Sequence, residues 1–147
     1  MPPSYSSELI WKLAVLPGDS VPVRDYLEGE RRRPKRLTFL LQKMRYTAGL
    51  GWATAVAQRR FESVEGIEDA HEFRTEFASV QLRVYFTTHH TAEGICLVAL
   101  AATHEKHGRG RIPAPLKDAI RDRLRQWKTE RRMAAWPTRE DLTGTVS

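Results

Sequence analysis

Residues 95–103 are apolar at nearly every position, so side chains of both parities need burial there. Successive side chains of a strand point to opposite faces, and a short run without polar alternation therefore reads as a central strand covered on both sides. The segments before it supply its neighbours. Across 71–77, His71, Phe73, Thr75 and Phe77 alternate with Glu72, Arg74 and Glu76. After a turn at Ala78 and Ser79, Val80, Leu82, Val84 and Phe86 alternate with Gln81, Arg83, Tyr85 and Thr87. The pair predicts a hairpin, and a turn over 91–94 joins it to the central strand.

Leu9, Trp11, Leu13 and Val15 predict an earlier half-buried strand, stopped by Pro17, Gly18 and Asp19. A short helix follows through Val23, Tyr26 and Leu27. Behind Pro34, the spacing of Leu37, Leu40, Leu41 and Met44 predicts a longer amphipathic helix ending near Gly49 or Gly51. Residues 52–70 carry a weak signal and read as irregular, with a short helical turn. The last helix starts near Pro113 or Pro115, turns Leu116, Ile120, Leu124 and Trp127 inward, and displays Lys117, Arg121, Arg125 and Lys128. The order is strand, two helices, a three-stranded antiparallel meander and a C-terminal helix. It implies an α+β domain over 1–132, with helices on one face of a largely antiparallel sheet and a loose tail over 133–147.

A chain of 147 residues suits one domain with a substantial core. Its single cysteine, Cys96, sits among Ile95, Leu97 and Val98, which excludes an intramolecular disulfide and favours a packed thiol. No apolar run approaches the length of a membrane span, and the N-terminal residues lack a basic-then-apolar signal pattern. A cytoplasmic protein without membrane contact is the expectation.

The net charge of +6 is concentrated. Residues 104–132 hold ten Lys or Arg against four acids, and the remaining residues balance at fourteen of each sign. A charge excess gathered on one loop and one helix directs a field at a polyanion, so RNA or DNA phosphate is the first partner to consider. A second basic run, Arg31, Arg32, Arg33, Lys35 and Arg36, starts the second helix, where the dipole disfavours cations. A solvated junction is the commoner reason for such a run, and a binding role the other.

Alternation sets Arg83 and Tyr85 on the sheet face opposite Val84 and Phe86. The loop after the central strand offers His104, Lys106, His107, Arg109 and Arg111, with Gly108 and Gly110 permitting close backbone approach. These groups match RNA scission by a neighbouring 2′-hydroxyl, which needs a base, cations on the phosphorane and an acid for the leaving oxygen. Arg83 and Lys106 suit transition-state stabilisation, and His104 or His107 acid–base work. Tyr85 suits orientation of the nucleophile or stacking on a base. Arg74, Arg109, Arg111, Lys117 and Arg121 are the expected RNA-binding cations. Each has a plainer reading: Arg83 as a cross-strand ion pair with Glu72 or Glu76, the last helix as a wet face, His71 as a core-edge residue, His89 and His90 as solvated turn residues. The Lys/Arg-rich loop disfavours a metal, and no cofactor is implied.

The order of motifs resembles the RelE/ParE toxin superfamily, in particular the phage-derived HigB-like toxins of type II toxin–antitoxin pairs. The likeness runs over residues 11–127. His71-Glu72-Phe73-Arg74 resembles the family's L-W-E-L-R, Leu82-Arg83-Val84-Tyr85-Phe86 its Y-R-V-F-Y, and His104-Glu105-Lys106-His107 through Pro113 its F-x-K-K…T-P segment. The resemblance implies a RelE-like fold and a metal-independent mRNA endoribonuclease, ribosome-dependent or free, that inhibits translation and arrests growth. It also implies a cognate helix-turn-helix antitoxin, through which alone operator DNA would be met. Arg83 then matches the active-site strand arginine, and Lys106 the basic position after the last strand. The same fold with a basic last helix also fits a non-cleaving, ParE-like gyrase inhibitor, and Leu82 and Phe86, standing where the family pattern has tyrosines, leave open an inactive regulatory relative.

Overall fold

The computed structural model describes residues 9–106 and 111–143. The chain is α+β: five helices and a six-stranded mixed sheet among these residues. In chain order they are β1 (Ile10–Val15), α1 (Pro22–Gly29), a 3-10 turn (Glu30–Arg32), α2 (Pro34–Leu50), α3 (Trp52–Ala57) and β2 (Phe61–Ser63). Then come β3 (His71–Phe77), β4 (Val80–Thr91), β5 (Gly94–Glu105), α4 (Ala114–Glu130), β6 (Arg132–Ala135) and α5 (Arg139–Thr143). The strand order is β2-β3-β4-β5-β1-β6. Four of the five pairings are antiparallel; β1 runs parallel to β5, with Leu13 opposite Ala99.

Helices cover both faces of the sheet, which corrects the expectation that they would share one. On the first face, Val23 and Leu27 of α1, Leu37, Leu40 and Met44 of α2, and Ala55 of α3 pack on Trp11, Leu13, Phe73, Val84, Phe86 and Leu97. Trp11 also donates its indole N–H to the Met44 carbonyl at 2.9 Å, tying β1 to α2. On the second face, Ile120, Leu124 and Trp127 of α4 cover Ala14, Cys96, Val98, Leu100 and Ala101. Both parities of β5 are thus buried, as its unbroken apolar pattern requires, and the α4 stripe covers the parity that α1 and α2 leave bare.

A bulge in β5 refines this division. Tyr85 pairs with Ala101 but Phe86 with Ala99, so Leu100 is the extra residue, and both Leu100 and Ala101 face α4. The freed Leu100 carbonyl accepts a hydrogen bond from Arg123 of α4 at 2.9 Å.

Residues 133–143, expected as a loose tail, are built into the fold. Met133, Ala134 and Ala135 pair with β1, Trp136 lies on Trp11 with ring centroids 5.7 Å apart, and Leu142 is only 3% exposed. The segment over 52–70 is likewise more ordered than its pattern suggests, supplying α3, β2 and the buried Val64, Ile67 and Ala70 beneath α4. His71 is half-buried between Trp52 and Phe86, in keeping with a core-edge role, and burial lowers its pKa. His89 packs edge-on against Trp127 instead of lying at a turn.

Candidate functional site

The sheet separates the groups that sequence patterning brings together. Arg83 and Glu105 project to the second face, whereas His104 projects to the first, opposite Leu82 in the β4–β5 ladder. Lys106 is exposed and follows directly after β5. His107 and Arg109 lie outside the described residues.

Arg83, 4% exposed, sits between two carboxylates: Glu72 of β3 at 3.4 Å and Glu105 of β5 at 3.7 Å. Tyr85, also buried, is influenced by the Arg83 and Glu72 charges, and its ring joins the core under α4. Burial raises the Tyr85 pKa, and the Glu72 charge adds to the rise. The Glu72 carboxyl is raised by its own burial, against the opposing pull of Arg83 and Arg74. Arg74, expected to hold RNA, pairs with Glu62 at 3.4 Å. Around Arg83 the second face therefore carries Glu62, Glu72 and Glu105 against Arg74 and Arg83, and Tyr85 has no ring face open for stacking. A face whose cations are matched by carboxylates offers little to a phosphate. The cross-strand ion pair is the arrangement found for Arg83.

The cations of α4 are also largely matched. Arg121 pairs with Asp118 at 3.2 Å and donates to the Gly66 carbonyl, Arg125 pairs with Asp122, and Lys128 reaches Asp69 at 3.0 Å. Lys117 lies against Gly66, where an added Cβ would meet its Nζ at 2.8 Å. Arg111 is exposed ahead of α4. Repulsion between the like charges of Arg121, Arg125 and Lys128 along the helix is thus relieved by acids one turn away and by Asp69, on the loop before β3.

On the first face, α1 and the turn after it bring unanticipated partners to His104. The Tyr26 hydroxyl lies 2.9 Å from His104 Nδ1, and either atom can donate, according to the imidazole tautomer. Behind them Arg36 donates through Nε and Nη2 to both oxygens of Glu30, at 2.8 and 2.7 Å. Glu30 is 4% and Arg36 8% exposed, and Glu30 Oε2 is 3.9 Å from His104 Nδ1. Burial, then the Arg36 charge, lower the His104 pKa from its ordinary 6.5, with Glu30 opposing and Arg33 adding to the fall. The imidazole is therefore neutral at pH 7 and able to accept a proton. Tyr26 is pushed far up by burial and by Glu30, so its hydroxyl keeps its proton. His104 has a side chain 41% exposed, leaving it open to solvent while Nδ1 is engaged.

This is an oriented, solvent-accessible imidazole backed by a buried ion pair. It can exchange a proton with a bound substrate, because rotation of the Tyr26 hydroxyl accommodates either tautomer. Sequence patterning places Tyr26 on a short helix and Arg33 in a basic run with a binding role as one reading, but ties neither to His104, and it passes over Glu30. The visible trace is the basic run with Glu30 directly before it.

Among the described residues no group of three or more His, Cys, Asp or Glu side chains is arranged to hold a metal ion, and no helix is long and apolar enough to cross a membrane. No protein-family model, curated protein or solved structure matches the chain.

Proposed function

We propose that the protein is the toxin of a type II toxin–antitoxin pair and acts as a metal-independent endoribonuclease that cuts mRNA and halts translation. The observation that carries this reading is His104, held through Nδ1 by Tyr26 in front of the Glu30–Arg36 pair, with the Arg33 charge near enough to help lower its pKa. With Nδ1–H donated to the Tyr26 oxygen, Nε2 presents a lone pair that takes the proton of a 2′-hydroxyl. The 2′-oxygen then attacks the adjacent phosphorus, and the bond to the leaving 5′-oxygen breaks as that oxygen gains a proton. The products are a 2′,3′-cyclic phosphate and a 5′-hydroxyl end. Arg33 and Lys106 serve as the cations for the phosphorane, and His107 as the second imidazole. The RelE-like layout belongs to the same reading: the β3–β4–β5 meander with β1 alongside is compatible with it. So do its partners, a helix-turn-helix antitoxin from the same operon and the ribosome.

Brief induction in bacteria, followed by mapping of mRNA 5′ ends, tests the reading. The wild-type chain should arrest growth and create new 5′-hydroxyl ends inside coding frames. His104→Ala should lower their yield by about 10²- to 10⁴-fold, the usual contribution of a general base, while remaining folded. Unchanged cutting by that variant would remove His104 from the mechanism.

A second reading has one specific observation in its favour. Arg83, which in the resemblance to cleaving toxins matches the active-site strand arginine, is buried between Glu72 and Glu105. A non-cleaving, gyrase-inhibiting toxin or an inactive regulatory relative would keep that pair for structure alone. Growth arrest with DNA damage and intact mRNA would establish the gyrase inhibitor, and absence of any arrest the inactive relative.

A further inference from the structure

Arg31, Arg32, Arg33 and Lys35 are all exposed, and among the described residues none has a carboxylate within ion-pair distance. This sets them apart from Arg121, Arg125 and Lys128 of α4, which are matched by Asp118, Asp122 and Asp69. The acid directly before the run, Glu30, has both its oxygens bonded by Arg36 and is buried, so it does not offset its neighbours. Four unmatched cations at the unfavourable end of a helix cost stability, and an external anion relieves that cost.

An aromatic floor adjoins them. Arg33, Pro34, Lys35 and Arg36 share a shallow pocket of about 390 Å³ with Phe77, Ala78 and Val80. Phe77 is partly buried and rests on Phe39, ring centroids 5.1 Å apart, which holds its ring in place. The pocket lies on the same sheet face as His104. Val80 precedes Leu82 by two positions on β4, about 7 Å along the strand, and Leu82 pairs directly with His104. A cationic track beside a fixed aromatic ring is the combination by which proteins hold single-stranded nucleic acid: cations follow the backbone and the ring stacks on a base.

We propose that Arg31, Arg32, Arg33 and Lys35, with Phe77, form a single-stranded RNA subsite that seats one base on the Phe77 ring and leads the adjoining phosphate to His104. It rests on the ribonuclease reading above and names where the substrate lies. It moves the RNA contact from the α4 cations to the α1–α2 junction.

Binding separates this inference from cleavage. A fluorescently labelled oligoribonucleotide is titrated by anisotropy against the full chain carrying His104→Ala, over a range of salt concentrations. Adding Arg33→Gln with Lys35→Gln should weaken binding at least tenfold and reduce the slope of log affinity against log salt by about 1.4, the value for two phosphate contacts on a single strand. Phe77→Leu, which retains apolar bulk over Phe39, should weaken binding at least fivefold with little change in slope. Lys117→Gln with Arg121→Gln should leave affinity within twofold. The subsite is overturned if the junction variants bind as tightly as their parent, if the α4 variants carry the loss, or if polyglutamate competes as strongly as RNA of equal charge, which would assign the patch to an acidic protein. Tight, junction-dependent binding in a protein that makes no new mRNA ends would uphold the subsite while removing the nuclease reading.

Discussion

Glu30 and Arg36 show how much one buried pair can decide. Both heads of the Arg36 fork are used on a single carboxylate, and neither residue has more than a tenth of its side chain in water. Arg36→Met leaves the Glu30 charge buried and uncompensated, and should cost about 3–5 kcal/mol, read as a lowered urea midpoint at unchanged slope. Glu30→Gln in the same chain should recover most of that loss, because the stranded charge is gone. A cost below about 1 kcal/mol for the single variant would mean that the pair is solvated. Individual residues were only partly legible before the structure. Alternation along β4 allowed an Arg83–Glu72 pair as one of two readings, since both residues sit on predicted neighbouring strands of one hairpin. The approach of Tyr26 to His104 joins positions 78 apart, and no local spacing encodes it.

Elements were legible in proportion to their length. Leu37, Leu40 and Met44 of the α2 stripe are buried, with Leu41 partly so, and β3 falls where alternation puts it, whereas β4 and β5 run on to Thr91 and Glu105 and carry His89, His90 and His104 on strands where a turn and a loop were expected. The three residues of β2, the six of α3 and the four of β6 span too few positions for a period to emerge from their composition. The β3–β4 hairpin closes on Ala78 and Ser79, both left-handed at φ 49° and 69°, the backbone that a two-residue type I′ connection demands. Neither residue favours it. Ala78→Asn with Ser79→Gly should therefore raise stability by about 1 kcal/mol, seen as a higher thermal midpoint. A lower midpoint would mean that the turn differs in solution. The same hairpin carries Phe77 and Arg83, so its register positions both the proposed base subsite and the buried ion pair.

At the scale of the whole molecule, β1 depends on its two neighbours, β5 in parallel and β6 in antiparallel pairing. Ending the chain at Arg131 would leave β1 at the sheet edge, uncover Trp11 on the side of Trp136 and withdraw Leu142 from the core. The loss should reach about 4–6 kcal/mol, comparable with the net stability of a small domain, and circular dichroism should show an unfolded or aggregating chain. A truncated chain melting within a few degrees of the full one would show that β6 and α5 are dispensable. The amino-acid order alone determined the α+β class, a central strand hidden on both sides, and the long strands and helices that surround it, because periods of 2 and 3.6 residues are local properties. Only the tertiary structure decided that α4 covers the face opposite α1 and α2, that β1 lies parallel to β5, and which cations are neutralised. Those outcomes depend on contacts between distant positions: the stripe on α4 specifies burial but not against which face, and a guanidinium pairs with whichever carboxylate the fold brings near.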